Sequence, residues 1–399
     1  MNDRQKIAIL LPRFSGGGAE RVSIVLARSL CAYGYDTELW ATRFDSERRT
    51  AVESEGIATA STRDNSGKLR HRSRKNMEAV ARMVAERNIS ILVVSVAPLG
   101  YMKELRGLVG DRCRIVFHLH GQPFWELIAF SLPRVAPRGI GECASRCLSF
   151  LRKDLKEKLF HTYTRRAEKL YRDSYEACDA YVVLCEAYRR DLERRLSIAP
   201  DESKVRAIYN PVAGMDRLSL FFGKTKCREV LFVGRLTYDD KRVDRLLRIW
   251  KMTDRPDWTL RIVGDGPERK NLENLARGLG LKNVVFEGYA VPDRFYSVAS
   301  IVAMTSTFEG WPGCLLEALA AGCRPIAFAC SEGVKEILGE GRGEAVEPFD
   351  ENKFGRSLSA MMDVYPDGQS DATSLWLRRF SDGAVAEAWH SLFKTLVCR

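Results

Sequence analysis

The stretch IAILLPRFSGGGAE, residues 7–20, joins an apolar run, a glycine-rich turn and the start of a helix. Val22, Val25, Leu26 and Leu30 then recur at the spacing of one helix face. A strand that leads through a turn into a helix is the unit from which covered parallel sheets are built. The turn suits an anion such as phosphate, because glycine lets the backbone approach a ligand and the following helix offers free amides.

Similar apolar runs, each followed by a helical pattern, recur along both halves of the chain. The first half has TELWAT (37–42), ISILVVSVA (89–97), RIVFHLH (114–120) and AYVVLCE (180–186). The second half has EVLFVGR (229–235), TLRIVGDG (259–266), NVVFEGY (283–289), IVAMTST (301–307) and CRPIAFAC (323–330). Fully apolar strands alternating with helices indicate parallel sheets buried on both faces. The sequence therefore predicts an α/β protein of two Rossmann-like, doubly wound domains that face a central cleft.

The domain boundary is predicted near Asn210-Pro211, where a polar stretch begins and proline favours extended backbone. We expect an N-terminal domain over 1–212, a C-terminal domain over 213–380, and a last helix over 381–399. That helix is predicted to cross back to the first domain. Its apolar face consists of Val385, Trp389, Leu392 and Leu396.

The composition of the chain indicates in which compartment of the cell the protein is expected. The 399 residues are 45% hydrophobic, which suffices for two buried cores, and no run approaches the roughly 20 apolar residues of a membrane span. The apolar run before Pro12 is too short for a signal peptide. Eleven cysteines without a C-x-x-C spacing indicate reduced thiols. We therefore expect a cytoplasmic protein.

The net charge of +11 favours acidic partners, and much of the excess lies in residues 131–172, with eleven basic and four acidic residues. This segment is either an ordinary solvated helix face or a basic amphipathic surface on the cytoplasmic face of the inner membrane. The membrane-facing candidates are Arg152, Lys153, Lys156 and Lys158. Nucleic acid is not an expected partner, because the segment lacks interleaved aromatic residues for base stacking.

Ligands of parallel sheets bind beyond the carboxyl ends of the strands, so residues that follow strands are the candidates for the site. Gly17 and Gly18 follow the first strand, as a phosphate-binding turn or as a merely structural one. His118 and His120 end a later strand, where we expect them to point to opposite faces. On that interpretation His118 belongs to the core and His120 to the cleft.

Two cations follow the first strand of the second half. Arg235 lies at the strand end and Lys241 near the start of a helix, an arrangement suited to a diphosphate leaving group on which negative charge grows. A surface ion pair with Asp239 or Asp240 is the alternative. In the next strand-to-helix turn, Gly264 is predicted to be mainly structural, with a possible nucleotide contact.

The segment FEGWPGCLLEALAAG, residues 308–322, places two glutamates around a glycine-proline turn at a helix start. Glu309 is expected to reach the group beyond the phosphates, and Glu317, about two helical turns along, to accept both ribose hydroxyls. Between them, helix amides are expected to meet phosphate oxygens. These amides belong to Gly313, Cys314 and Leu315.

In order and spacing, these motifs resemble the GT-B glycosyltransferases of family 4. The matching motifs are G-G-A-E (17–20), N-P-V (210–212), V-G-R-L (233–236) with Lys241, V-G-D-G (263–266), and Glu309 and Glu317 followed by A-L-A-A-G-C-R-P-I. The resemblance implies a metal-independent, retaining transfer of a hexosyl or N-acetylhexosaminyl group from a nucleotide-diphosphate sugar, and the chain contains no D-x-D. Such transfer without a carboxylate nucleophile implies a front-face substitution in which the leaving phosphate deprotonates the acceptor.

By the same resemblance, Gly17 and Gly18 approach the donor phosphates, Arg235 and Lys241 hold the diphosphate, and His120 lies at the reaction centre. Glu317 is implied to bind the ribose and Glu309 the donor sugar. The acceptor implied is a glycan or lipid-linked glycan of cell-surface polysaccharide synthesis, such as lipopolysaccharide or capsule.

Three positions depart from the family pattern. Lys241 is followed by Arg242 where members usually have glycine, so we expect the loop to bend differently or to carry extra charge. Trp311 and Cys314 also replace more usual residues, which leaves the donor sugar open.

Two other functional classes stay open. A nucleotide-sugar epimerase of the same fold would release a free sugar when given donor alone. A non-catalytic nucleotide-sugar-binding protein would have lost one of the charged site residues, and all four are present: Arg235, Lys241, Glu309 and Glu317.

Overall fold

The computed structural model describes residues 5–14, 18–62, 74–95, 100–129, 161–212, 214–364 and 371–397. The described chain forms two compact units. The first contains the residues up to Pro123, those from Arg165 to 212, and those from Arg379 onward. The second contains the described parts of 124–164 and of 214–378.

Each unit has one sheet, and the strands of each sheet pair in parallel. The first unit has seven strands in the order β3-β2-β1-β4-β5-β6-β7 and the second has six in the order β10-β9-β8-β11-β12-β13. The strands are β1 (Lys6–Leu11), β2 (Asp36–Ala41), β3 (Ala58–Ser61), β4 (Ile91–Ser95), β5 (Arg114–His118), β6 (Ala180–Val183), β7 (Val205–Ala207), β8 (Cys227–Val233), β9 (Thr259–Val263), β10 (Val284–Gly288), β11 (Ala299–Met304), β12 (Arg324–Phe328) and β13 (Glu344–Val346).

Helices connect successive strands, as parallel pairing requires. In chain order the described ones are α1 (Gly18–Ala32), α2 (Ser46–Ser54), α3 (Arg74–Glu86), α4 (Met102–Val109), α5 (Trp125–Ala129), α6 (Thr162–Ala177), α7 (Glu186–Leu196), α8 (Met215–Ser219), α9 (Val243–Thr253), α10 (Arg269–Gly278), α11 (Asp293–Tyr296), α12 (Gly313–Ala320), α13 (Glu332–Leu338), α14 (Glu351–Val364), α15 (Asp371–Leu377) and α16 (Asp382–Val397). Short 3-10 turns span Gly110–Arg112 and Arg378–Phe380.

The strand order reverses beside β1 in the first unit and beside β8 in the second. At such a point the connections on the two sides leave for opposite faces of the sheet, which opens a crevice at the carboxyl ends of the strands. In the second unit the crevice lies between β8 and β11. The loops that follow these two strands therefore carry the residues of greatest interest.

Helix α16 packs in the core of the first unit. Its buried face comprises Val385, Trp389, Leu392, Phe393 and Leu396, in one cluster with strands β1, β4 and β6. The Trp389 ring centroid lies 5.0 Å from that of His118, and the Phe393 centroid lies 5.7 Å from that of Tyr35. The end of the chain thus completes a core begun by its first strand.

The unit boundary differs from the predicted one between strand β5 and helix α6. The sequence assigned all of 1–212 to the first domain, whereas the described residues of 124–164 group with the second unit. One contact that accounts for this is the Trp125 ring, which stacks on Phe308 with centroids 5.8 Å apart. No local sequence pattern predicts a contact between two aromatic residues that are so far apart in the chain.

Three strands were missed in the sequence, and all three are sheet edges. They are β3, β7 and β13, four, three and three residues long. An edge strand is not covered on every side, so it needs no continuous apolar run, and these sequences read ATAS, VRA and EAV. The predicted inner strands are all present.

Among the described residues, no helix combines the length and the apolar character that a membrane crossing requires. The eight cysteines within the described ranges are all free thiols.

Candidate functional site

A largely buried ion pair lies in the crevice of the second unit. Lys241, in the loop after β8, places its Nζ 2.5 Å from Oε1 of Glu309, in the loop after β11. Ser306 donates its hydroxyl to the same oxygen at 2.6 Å. The two charged side chains are only 19% and 11% exposed. The structure thus brings together two residues predicted to act on the same ligand.

Hydrogen bonds to backbone carbonyls join the two loops that carry this pair. The Thr307 amide donates to the Asp240 carbonyl at 2.7 Å, and the Thr305 hydroxyl donates to the Arg242 carbonyl at 3.0 Å. The Asp240 carboxylate accepts from the Lys241 amide at 2.9 Å. Because the loops are fixed to each other, the positions of Lys241 and Glu309 do not depend on the side chains alone.

Lys241 stays charged in this setting. Burial disfavours its ammonium form, but the nearby Glu309 carboxylate outweighs burial and raises the pKa of the lysine above its ordinary value. Removing one member of such a pair leaves an uncompensated buried charge, which is more costly than the loss of the contact itself. The site therefore holds a fixed positive charge and a fixed negative charge side by side.

Arg242 takes a conformation that glycine favours. Its φ is 49° and its ψ 47°, in the left-handed region, at a cost of about 1–2 kcal/mol for a residue with a Cβ. Its guanidinium bonds Asp244 at 2.9 and 3.0 Å and lies 4.4 Å from the centre of the Tyr238 ring. The loop thus keeps a glycine-like backbone, and the extra charge is paired with Asp244.

The side chain of Arg235 is less fixed than that of Lys241, with which it was predicted to bind the diphosphate. Its side chain is 71% exposed, and its Nη2 lies 3.4 Å from Oδ2 of Asp240. This is the surface ion pair that the sequence left open as the alternative. The two cations are therefore not equally fixed, since the Lys241 side chain is 19% exposed and that of Arg235 is 71% exposed.

Helix α12 begins between the two glutamates, as the sequence predicts. Pro312 is the cap, and the first-turn amides of Gly313 and Cys314 have no acceptor within the helix. The Leu315 amide, which was expected to be available to an anion, donates instead to the Pro312 carbonyl at 3.1 Å. The helix start therefore offers two of the three expected amides, because the first turn is closed by a bond of the 3-10 type.

Glu317 lies one turn into the same helix and is only 7% exposed. Its Oε2 accepts the Tyr296 hydroxyl at 2.8 Å. An ideal Cβ built on Gly313 would lie 3.9 Å from Glu317 Oε1, so the carboxylate runs alongside the first turn. The two glutamates thus have different partners: a cation for Glu309 and a neutral hydroxyl for Glu317. Sequence reasoning missed Tyr296, because it reads as an ordinary core aromatic.

Gly264 has a structural reason to be glycine. Its φ is +142°, and a Cβ there would lie 1.9 Å from the Gly234 carbonyl oxygen. The amide of Leu236 donates to the Asp265 carbonyl at 2.9 Å across the same contact. The turn after β9 therefore packs directly against the turn after β8, and a nucleotide contact by Gly264 stays a prediction.

In the first unit, two histidines meet a serine at the carboxyl edge of the sheet. His118 and His120 were expected on opposite faces, which is wrong, because alternate residues of a strand share a face. Their ring centroids are 4.0 Å apart. The Ser95 hydroxyl, at the end of β4, lies 3.3 Å from Nδ1 of His118 and 2.8 Å from Nε2 of His120. Ser95 was missed because a single serine after an apolar strand carries no signal.

Both imidazoles are neutral at physiological pH. Burial lowers the pKa of His120 to about 4, and burial together with His120 lowers the pKa of His118 well below its ordinary value. Nδ1 of His120 and Oε1 of Gln122 are buried without a hydrogen-bond partner. Nε2 of His118 is also buried without a partner, and its ring packs on Trp389 in the core, so each histidine has one unused ring nitrogen.

The remaining predicted residues give less information. Gly18 begins α1 and is exposed, with open space where a side chain would lie. Gly17 lies outside the described residues, as do the four membrane-facing candidates Arg152, Lys153, Lys156 and Lys158. Within the described ranges, no group of three or more His, Cys, Asp or Glu side chains is arranged to hold a metal ion.

Two doubly wound units, the second with a charged pair at its switch point, define a class of two-domain Rossmann-like proteins. Comparisons with known proteins identify the family within this class. The family model Glycosyltransferase Family 4 matches residues 16–213, and the model Glycosyl transferases group 1 matches residues 222–367. The two ranges together cover most of the chain.

Curated relatives and solved structures agree with these models. An uncharacterized glycosyltransferase of Haemophilus influenzae is 33% identical over 165 residues, 40% of this chain and 45% of the relative. The lipopolysaccharide 1,6-galactosyltransferase of Salmonella typhimurium is 28% identical over 187 residues, 45% of this chain and 52% of the relative. These matches thus span about half the length of the two relatives.

Anabaena HepE in complex with UDP-glucose has a TM-score of 0.70 at 17% identity, covering 99% of this chain and 100% of that one. At this identity the likeness shows the fold. The chain is therefore a GT-B glycosyltransferase that resembles family 4, which confirms the fold and the family inferred from the motifs.

Proposed function

We propose that the protein moves a hexosyl or N-acetylhexosaminyl group, with retention, from a nucleotide-diphosphate sugar to a glycan or lipid-linked glycan. The product class is cell-surface polysaccharide, such as lipopolysaccharide or capsule. The observation that carries the proposal is the largely buried pair of Lys241 and Glu309 beside Cys314 in the first turn of α12. A fixed cation next to free helix amides suits a diphosphate, and a carboxylate next to that cation suits a sugar hydroxyl.

In the proposed reaction, the bond between the sugar C1 and the β-phosphate oxygen breaks, and C1 bonds to the acceptor oxygen on the same face. The acceptor hydroxyl gives its proton to an oxygen of the departing phosphate. Negative charge on the diphosphate grows as the bond breaks, and Lys241 is already in place to stabilise it. The protein acts by positioning and charge, and His120 is proposed to lie at the reaction centre.

The known proteins support the substrate classes. HepE is described in complex with UDP-glucose, and the Salmonella relative is named for galactosyl transfer in lipopolysaccharide. Glu317, which runs along the first turn of α12, is proposed to accept the ribose hydroxyls, whereas Glu309 is proposed to contact the donor sugar. Arg235 is proposed to leave Asp240 and join Lys241 on the diphosphate.

A screen of purified protein against a panel of nucleotide sugars, with membrane extract as acceptor source, tests the reaction. We expect release of one nucleoside diphosphate that depends on the acceptor, together with a new glycoside whose anomeric configuration matches that of the donor. Free sugar released from donor alone would identify an epimerase. Binding of nucleotide sugar without any turnover would identify a non-catalytic binding protein.

We propose that no metal is required. Activity is expected to survive an excess of EDTA, because Lys241 and the amides of Gly313 and Cys314 supply the positive charge that a cation would give. The measurement is acceptor-dependent release of nucleoside diphosphate before and after chelation. Complete loss that Mg²⁺ or Mn²⁺ restores would contradict this prediction.

A peripheral position on the cytoplasmic face of the inner membrane is also proposed, on the charge of residues 131–172. The protein is expected to sediment with vesicles that contain phosphatidylglycerol at low salt, and less so as salt rises, since each cation near the surface contributes about 1 kcal/mol within a Debye length. Vesicles of neutral lipid are the control. Failure to bind anionic vesicles at low salt would remove this part of the proposal.

A further inference from the structure

We propose that Tyr296 is a positioning residue for Glu317, and that the buried ammonium of Lys226 fixes the two elements that carry them. The inference rests on the proposed function, in which Glu317 binds the ribose of the donor nucleotide. Neither Tyr296 nor Lys226 belongs to the motifs that identify the family in this sequence. Both act through Glu317 rather than by touching the substrate.

The hydroxyl of Tyr296 orients the carboxylate. Tyr296 is the last residue of α11 and is fully buried, and its hydroxyl donates to Oε2 of Glu317 at 2.8 Å. Burial, reinforced by the negative charge of Glu317, raises the pKa of Tyr296 well above its ordinary value. The tyrosine therefore keeps its proton at physiological pH and serves as a donor to Glu317.

Lys226 holds the backbone around this contact. It is 7% exposed, and its Nζ donates to the carbonyls of Tyr296 at 2.9 Å and of Ala321 at 2.7 Å. A third carbonyl, that of Ser297, accepts at 3.3 Å. Tyr296 ends α11 and Ala321 caps the end of α12, so one ammonium binds the carboxyl ends of both helices. Cations at helix carboxyl ends are favourable because the helix dipole is negative there.

This arrangement has a use that packing alone does not explain. A buried lysine costs desolvation, and burial does lower the pKa of Lys226. A methionine would fill similar space without that cost, but it would leave the carbonyls at two helix ends without their donor. A carboxylate that must accept two neighbouring hydroxyls gains affinity when its plane is fixed before the ligand arrives. Lys226 and Tyr296 together supply that fixation for Glu317.

The test uses Tyr296→Phe, which keeps the buried ring and removes one hydroxyl. Affinities of the parental protein and the variant are measured by calorimetry for UDP, GDP, ADP and CDP and for their 2′,3′-dideoxy counterparts. The tightest ribonucleotide and its dideoxy form then give a ribose preference for each protein. Tyr175→Phe, which removes a hydroxyl from the first unit, is the matched control.

We expect the parental protein to prefer the ribonucleotide about tenfold or more, the scale of hydrogen bonds to a charged group. In Tyr296→Phe the ribonucleotide should bind about three- to tenfold more weakly, with dideoxy binding unchanged, so the preference shrinks. Tyr175→Phe should keep the parental preference. Lys226→Met is expected to shift the preference in the same direction as Tyr296→Phe.

The outcomes separate this inference from the function on which it rests. An unchanged ribose preference in Tyr296→Phe overturns the positioning role and leaves the proposed function intact. Equal loss of both nucleotide forms would show a merely structural role and also overturns the inference. If the parental protein shows no ribose preference, or binds no nucleoside diphosphate, the role of Glu317 itself is wrong and the inference is lost with it.

Discussion

Replacing Lys241 by alanine is expected to lower turnover about 100-fold or more, the scale for removing one preorganised charge from a leaving group. The change takes away the cation proposed to meet the diphosphate. It also leaves the Glu309 carboxylate, 11% exposed, with the Ser306 hydroxyl but without its ion-pair partner. An uncompensated carboxylate next to an anionic ligand opposes binding as well as reaction.

The measurement is kcat and KM for acceptor-dependent release of nucleoside diphosphate. Lys335→Ala is the matched control, because Lys335 is 53% exposed and pairs with Glu332 on the surface of the same unit. We expect that control to be unchanged, since exposed pairs contribute little. Arg235→Ala should also lower turnover about 100-fold if the guanidinium joins the diphosphate. Near-parental activity in both Lys241→Ala and Arg235→Ala would contradict the proposal that these two residues bind the diphosphate.

Replacing Glu317 by glutamine is expected to weaken binding of the nucleoside diphosphate about 10- to 100-fold. The variant keeps the shape of the side chain but loses charge-assisted hydrogen bonds to the ribose, which contribute about 1.5–3 kcal/mol. Glu309→Gln is expected to leave that affinity nearly intact while reducing transfer, because Glu309 is proposed to contact the sugar rather than the nucleotide.

Calorimetric titration of both variants with the preferred nucleoside diphosphate distinguishes these roles. Glu332→Gln, on the exposed face of α13, is a control for the loss of one negative charge. The reverse order of affinities, with Glu309→Gln the weaker binder, would exchange the two assignments. Equal weakening in both variants would mean that the two carboxylates act together on one group.

The inner strands of both sheets were predictable because a strand buried on both faces must be apolar throughout. The edge strands β3, β7 and β13 were not, since a short strand with an open side is free to read ATAS or EAV. The grouping of Trp125 with the second unit could not be predicted from the sequence either. It depends on a contact with Phe308, which is 183 positions away in sequence.

The charged residues of the site were predictable because they follow strands, where ligands of parallel sheets bind. Their partners were predictable only in part. The pair of Arg235 with Asp240 was one of two alternatives that the sequence could not separate, and the bond from the Leu315 amide to the Pro312 carbonyl had no sequence signal. The prediction for His118 and His120 was wrong for a simpler reason. Residues two apart in a strand lie on the same face, whereas we expected opposite faces. The roles of Tyr296 and Lys226 could not be predicted, because they are inferred only from the atoms that these side chains contact.

The packing of α16 into the first unit has a consequence for the order of events on the ribosome. His118 and Tyr35 cannot be covered by Trp389 and Phe393 until residues near 390 have been synthesised. All residues of the second unit precede Arg379, so they are synthesised before Trp389 and Phe393. Domains usually fold from the N-terminal one onward as they emerge. In this chain the first unit begins to be translated first, but its core is complete only after α16 has been synthesised.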